Sequence, residues 1–154
     1  MRTWPVVTAG VAGMFATLAV GPGQAARAPA QQACSPTAGQ LALGMINEER
    51  ARAGLQRLTA DTMLVRAARI HAEDIAGHRS RSDAGSDRSS PARRLERVGY
   101  VWSWVGENVS AGEESVDEVI RGWLRAERHR ANILNPKARS AGLAMARSSE
   151  GEFG

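Results

Sequence analysis

Cysteine and lysine each occur once in the 154-residue sequence, as Cys34 and Lys137. A single cysteine excludes a disulfide within this chain, and we expect Cys34 to be a free thiol. Almost all basic charge is therefore arginine, and the 20 bases exceed the 16 acids. Acidic and basic residues alternate over residues 47–130, which does not predict the one-sided basic surface that binds phosphate backbones. The sequence gives no indication of nucleic acid binding.

The sequence also lacks an apolar run of the roughly 20 residues that a membrane-spanning helix needs. Its longest run, residues 5–20, follows Arg2 and precedes Gly23-Gln24-Ala25, which offers small residues at the two positions read by a signal peptidase. We expect residues 1–25 to be a signal peptide, residues 26–36 a flexible tether and residues 37–154 one domain. The protein is thus predicted to be secreted, to the medium or the cell envelope, without a membrane span after cleavage.

Apolar spacing predicts two helices at the start of the domain. The first ends at Gly54, a residue suited to a left-handed C-terminal cap, and places Asn47 and residues 48–52 toward water. The second begins after Asp61 and carries His71 on its apolar stripe. A histidine in that position is more often a hydrogen-bonded core residue than a ligand, so we predict the core role.

A third amphipathic helix is predicted to start at Ser115 and Glu118, which form a capping-box pattern. Residues 100–105 are aromatic and β-branched, a composition typical of a strand or a packed loop. Residues 141–147 are predicted to form a strand. These elements indicate mixed α and β structure.

Three stretches in a fixed order resemble the CAP superfamily of cysteine-rich secretory proteins, antigen 5 and pathogenesis-related class 1 proteins, in its short bacterial form. They are residues 45–55 (MINEERARAGL), residues 105–109 (VGENV) and Gly122-Trp123 followed by residues 129–136 (HRANILNP). The last stretch is the most specific. The resemblance implies an α+β fold, an α-β-α sandwich with a small antiparallel sheet between helical layers. Residues 148–154 lack the aromatic run of the family's final strand, so we expect that strand to be missing.

The resemblance also implies a site. Family members have a central cleft lined by two histidines and acidic residues, and some hold a divalent metal there. Glu107 matches the acid of the Gly-Glu-Asn motif and His129 the histidine of the His-Arg turn, with motif support from Asn108, Arg130 and Asn132. Asp83 stands where the second histidine is expected. A metal such as zinc would therefore need Asp83, Glu107 and His129 to converge.

No serine lies in a recognised nucleophile motif, and a metal site normally needs three or four protein ligands. We therefore expect a secreted module that binds an extracellular or envelope ligand in a cleft around Glu107 and His129, rather than an enzyme. Three alternatives stay open: a metal-dependent, peptidase-like hydrolase, a lipid-binding module, and a truncated inactive copy. The lipid alternative would use a groove lined by Trp102, Trp104 and Trp123.

Overall fold

A computed structural model describes the backbone of residues 12–19 and all atoms of residues 37–78 and 84–147. Asp83, Cys34, the predicted tether and residues 148–154 lie outside the described residues. The elements run in the order β1 (Ala12–Ala19), α1 (Ala38–Arg52), β2 (Thr59–Ala60), α2 (Thr62–His78), α3 (Pro91–Arg97), β3 (Val105–Ser110), α4 (Val116–Arg125), α5 (Glu127–Ile133) and β4 (Ser140–Ala146). No helix in these ranges has both the length and the apolar composition to cross a bilayer.

Helix α1 ends where the sequence predicts, and a local motif marks its start. Thr37 and Gln40 form a reciprocal capping box, with the Thr37 hydroxyl accepting from the Gln40 amide and the Gln40 side chain accepting from the Thr37 amide. Gly54 follows the helix with a φ of 69°, a left-handed conformation that glycine adopts without a Cβ penalty. The predicted end of this helix before Gly54 is thus confirmed.

Two polar residues of α1 lie in the core, so the prediction that they face water is wrong. The Asn47 amide donates to the Leu58 carbonyl at 2.9 Å and its oxygen accepts from the Leu58 amide at 2.7 Å. The Arg50 guanidinium is fully buried and donates to backbone carbonyls of Gln56, Ile133, Asn135 and Ala138. Both side chains are buried because they satisfy the backbone of loops that cross over α1.

The sheet has the strand order β2-β4-β1-β3. Strand β1 is antiparallel to both neighbours, so that Thr17 lies opposite Glu107 of β3 and Gly142 of β4. Strand β2 adds a two-residue parallel pair to the outer edge of β4. Residues 12–19 therefore occupy a central position in the sheet, although they belong to the segment predicted as a signal peptide. The export role of residues 1–25 stays a prediction.

Helices cover both faces of this sheet. On one face, α2 packs across β4 and β1, and its buried residues join Val109 of β3. On the other, α1 and α4 form a core around Trp123, Ile133 and Leu143. The α-β-α sandwich implied by the family resemblance is confirmed.

Helix α2 lies directly on the sheet backbone at Gly142. A Cβ atom at this position would lie 2.0 Å from the Leu64 carbonyl carbon and 2.2 Å from the Val65 nitrogen. The start of α2 is held by Asp61, whose carboxylate accepts from the Met63 and Leu64 amides, as predicted. The contact between α2 and β4 thus depends on the absence of a side chain at residue 142.

The remaining predicted elements differ in detail. Residues 100–104 form a loop, and the strand of this region begins one residue later as β3. The strand predicted over residues 141–147 is present as β4, whereas the expected loss of the family's final strand rests on residues 148–154, outside the described residues, and stays a prediction. The Ser115 hydroxyl accepts from the Glu118 amide at 3.2 Å, but the Glu118 carboxylate accepts from the Glu114 amide, so half of the predicted capping box forms.

Candidate functional site

Strand β3 directs two neighbouring motif residues to opposite faces of the sheet, because side chains alternate along a strand. The Glu107 carboxylate lies toward α2 and α3, where it contacts His71 and Arg94. The Asn108 amide lies toward α5 and donates to the His129 carbonyl at 3.0 Å. The two polar side chains of the Gly-Glu-Asn motif thus contact different helices, on opposite faces of the sheet.

A buried ion pair holds the Glu107 carboxylate. Its Oε1 accepts from Arg94 Nη2 at 2.5 Å, and the two side chains are 4% and 6% exposed. Arg94 Nη1 also donates to the Ser89 carbonyl at 2.6 Å. Because a charged hydrogen bond of this kind is strong and directional, it fixes both groups.

His71 lies beside this pair, in the core as predicted. Its Nε2 is 3.6 Å from Glu107 Oε1, and its Nδ1 is 3.9 Å from Asp74 Oδ2. Both distances exceed those of hydrogen bonds but lie within the range of charge interaction. The imidazole therefore stands between two carboxylates.

Asp74 connects α2 to the loop that precedes α3. Its carboxylate accepts from the Ser86 hydroxyl at 2.5 Å and the Ser86 amide at 2.8 Å, and His78 Nδ1 lies 3.1 Å away. Burial raises the pKa of Asp74, but the Ser86 hydrogen bonds and the charges of His78 and His71 outweigh it, so the pKa is lowered overall. Asp74 is thus held as an anion that orders the loop.

A cavity of about 220 Å³ opens between α2, this loop and α3. It is smaller than the roughly 300–1,000 Å³ of sites for drug-sized ligands, so it fits a small molecule or one end of a larger one. Its wall combines three arginines, two carboxylates, two hydroxyls, one imidazole and an apolar strip. The lining residues are Arg66, Ala67, Ile70, His71, Asp74, Ser86, Asp87, Ser89, Arg94, Arg97 and Val98.

One lining carboxylate is strongly stabilised as an anion. Hydrogen bonds from Ser89 and Arg97 hold the pKa of Asp87 far below its ordinary range. Arg97 Nη1 lies 2.5 Å from Asp87 Oδ2, and both residues line the cavity. The charges of this exposed pair offset each other at the cavity wall.

His129 has different described contacts from Glu107. Its ring is half-buried and meets Trp123 of α4 edge to face, with centroids 6.5 Å apart and planes at 73°. The Glu107 carboxylate contacts residues of α2 and α3 instead. No contact between the Glu107 carboxylate and the His129 ring is among those described here, and the predicted pair stays a prediction.

The two family motifs meet through their asparagines. Asn132 Nδ2 donates to Asn108 Oδ1 at 2.9 Å and to the Glu107 carbonyl at 3.0 Å. Gly106 permits this approach, since a Cβ there would lie 2.8 Å from Asn132 Oδ1. Asn108 and Asn132 thus tie β3 to α5, whereas Arg130 is exposed on α5.

A resident metal does not fit the described residues around Glu107. Within residues 37–78 and 84–147, no three His, Cys, Asp or Glu side chains converge to hold a metal ion. The Glu107 carboxylate already binds a cation, the Arg94 guanidinium, which repels a divalent ion at the same oxygen. The metal set of Asp83, Glu107 and His129 stays a prediction, because Asp83 lies outside the described residues.

The tryptophans are distributed between core clusters. Trp123 is buried among α1, α4 and β4, and its Nε1 donates to the Val109 carbonyl at 3.3 Å. Trp104 packs against the same cluster. Trp102 packs against a separate cluster that contains Leu64 and Leu95. These positions match core tryptophans rather than the lining of one groove.

Sequence reasoning missed Arg94, Asp74 and Ser86. For Arg94 a signal was present, since it lies on the same helical face as Val98, four residues later, and a charge on an apolar face requires a buried partner. The contact between Asp74 and Ser86 spans a loop and depends on tertiary structure.

The sandwich, with its Gly-Glu-Asn strand tied to a His-Arg-x-Asn helix, defines a CAP-type domain. The profile of the cysteine-rich secretory protein (CAP) family matches residues 43–153. This chain belongs to the CAP family.

Named relatives agree with this assignment. The uncharacterised protein YkwD of Bacillus subtilis is 30% identical over 104 residues, which cover 68% of this chain and 40% of that protein. An extracellular SCP-domain protein of Bacillus anthracis superposes with a TM-score of 0.67 at 23% identity, over 73% of this chain and 40% of the other. An outer surface protein of Borrelia burgdorferi gives 0.62 at 20% identity, over 66% and 75%. The chain thus spans well under half the length of YkwD.

Proposed function

We propose that this protein is a CAP module of the cell envelope or the extracellular medium that binds a small organic anion in the cavity between α2 and α3. The observation that carries the proposal is the cavity itself, with a wall fixed by the buried Glu107–Arg94 pair. The leader-like sequence of residues 1–25 supports the location, as do the extracellular and outer-surface names of the two structural relatives.

Charge and shape favour an anion with an apolar part. Two of the lining guanidinium groups are held by carboxylates, Arg94 by Glu107 and Arg97 by Asp87, and Arg66 adds a cationic group that belongs to neither pair. Ala67, Ile70 and Val98 supply apolar surface on the same wall. Small-molecule sites commonly combine such an apolar lining with a few convergent polar groups, which set the orientation of the ligand.

Binding is favoured over hydrolysis. A general base needs a carboxylate oxygen that faces the substrate, whereas Glu107 Oε1 is engaged by Arg94. The metal-dependent alternative gains no support from a described donor set. Calorimetric titration with zinc tests it directly, and saturable heat with zinc-dependent peptide cleavage would replace our proposal by that alternative.

Amide chemical-shift titration with acetate, hexanoate, benzoate and phosphate tests the binding proposal. We expect at least one of the carboxylates to give saturable shifts confined to α2, α3 and the intervening loop. Ile70→Trp fills the cavity mouth and Arg66→Gln removes a lining charge, so each should weaken binding about tenfold, or about 1.4 kcal/mol.

Matched controls lie on the same helix. Ile70 and Met63 are 49% and 44% exposed, and Met63 does not line the cavity, so Met63→Trp should leave binding unchanged. Arg69→Gln is the charge control. Equal affinities in the lining and control variants, or no saturable shifts with any of the four anions, would contradict the proposal.

A further inference from the structure

We infer that the space between β3 and β4, called the slot below, is a strand-acceptor site. Its occupant is the chain's own segment Ala12–Ala19. This segment binds in the slot by backbone pairing even when its covalent connection to the domain is cut. This inference is independent of the ligand proposed above. It concerns how the sheet is completed.

Within the described residues, β1 supplies all the antiparallel pairing of the sheet. It pairs with β3 from Met14–Ser110 to Ala19–Val105, and with β4 from Ala12–Ala146 to Ala19–Ser140. The other described ladder joins β2 to β4 over two residues. Without β1, the facing edges of β3 and β4 would expose unpaired amides and carbonyls, the condition that favours addition of another strand.

The sequence of the segment suits this position. AGMFATLA has no charge and no proline, as expected for a central strand of a sheet that lies between helical layers. The register with β4 shifts between Ala12 and Met14, which places Gly13 at an irregularity where glycine is favoured. Helix α2 packs across β1 and β4 together, so the occupied slot is closed from one side.

A covalent link of 17 residues joins β1 to the rest of the domain, so the strand and the domain can be separated by one cut. Residues 20–36 link β1 to Thr37 and can extend to about 55 Å. A covalent link raises the effective concentration of a tethered partner, to about the millimolar range for a short linker. A cut within this link would leave backbone pairing as the connection between the strand and the domain.

The slot also borders the strand that carries Glu107. Thr17 lies opposite Glu107, and Ala16 lies opposite Asn108. Occupancy of the slot is therefore expected to protect the amides of β3 from exchange with solvent. This gives a readout that does not depend on any ligand.

The test uses the full chain with a specific protease site placed within residues 26–33 and cut after folding. We expect the fragment that contains residues 12–19 to co-elute with the domain on size-exclusion chromatography, and hydrogen exchange to stay slow for residues 105–110 and 140–146. Release of the fragment after the cut would overturn the inference, and unchanged protection of both strands after release would show in addition that the sheet does not need the segment.

A second measurement uses the chain 26–154 and a labelled synthetic peptide of residues 10–21. We expect saturable binding that restores the slow exchange of β3 and β4. The same peptide with Ala16→Pro should bind at least tenfold more weakly, because proline removes a ladder donor. Full protection of β3 and β4 in 26–154 without peptide, or equal binding of both peptides, would contradict the inference. If the chain 26–154 does not fold alone, the inference is tested by co-elution and hydrogen exchange of the cut full-length protein.

Discussion

Glu107 and Arg94 form a buried ion pair with 2.5 Å between carboxylate and guanidinium, and this pair joins β3 to α3 at the wall of the proposed ligand cavity. Taking two charges out of water is costly, and their attraction offsets the cost only while both are present. We therefore expect replacement of one partner to destabilise the domain more than replacement of both.

Arg94→Met should lower the free energy of unfolding by about 3–5 kcal/mol, because it leaves the Glu107 carboxylate buried without its cation. The double variant Arg94→Met with Glu107→Gln should recover much of that loss. Urea denaturation measures both. Arg97→Met is the control, since Arg97 forms an exposed pair with Asp87 and such pairs contribute little. Equal losses for Arg94→Met and Arg97→Met would show that the buried pair is not an energetic unit.

Arg50→Met should destabilise the domain by about 3 kcal/mol or more, since several backbone carbonyls lose a charged donor in the interior. Arg52→Met, two residues along the same helix, removes an exposed pair with Glu49 and should change stability little. Thermal and urea unfolding of the two variants compare them directly. A small effect of Arg50→Met would mean that water replaces the guanidinium.

Two glycine-to-alanine variants should have opposite effects. Gly142→Ala places a Cβ within 2.0 Å of the α2 backbone, so α2 must shift and the melting temperature should fall steeply. Gly44→Ala, in α1, meets nothing within 4 Å and should stabilise the domain by about 0.5–1 kcal/mol through helix propensity. Differential scanning calorimetry checks both signs. A neutral Gly142→Ala would contradict the close packing of α2 on β4.

Asp74 should contribute to the loss of stability in acid. Its folded-state pKa is lowered from 3.8, so the stabilisation is present above the unfolded-state pKa and is lost as pH falls through the lower folded value. Asp74→Asn should therefore reduce the melting temperature at pH 6 and flatten its decline below about pH 4. Melting curves between pH 2 and 6 measure this. Asp117→Asn, in an exposed pair with Arg121, is the control, and parallel curves for Asp74→Asn and the wild type would exclude the proposed role.

Local signals in the sequence located the helices well. Asp61 and Ser115, both predicted as caps, each hold the start of a helix through hydrogen bonds that span two or three residues. Such contacts depend on neighbouring residues alone, so the sequence determines them. The family motifs added the sandwich, because their order and spacing carry information that periodicity lacks.

The position of residues 12–19 could not be deduced in this way. An uncharged run of small and apolar residues suits both a signal peptide and a buried central strand, since both environments exclude charge. The pairing of this run depends on β3 and β4, which lie about 90 or more residues away in the sequence. No local pattern encodes that register.

The sequence by itself thus determined the family, the helix ends and the burial of His71. Tertiary structure decided which charged residues are buried, namely Arg50, Arg94 and Glu107, and it placed Glu107 beside His71. The physical reason is that a charge is buried only where distant groups neutralise it or satisfy its hydrogen bonds, and folding alone brings those groups together.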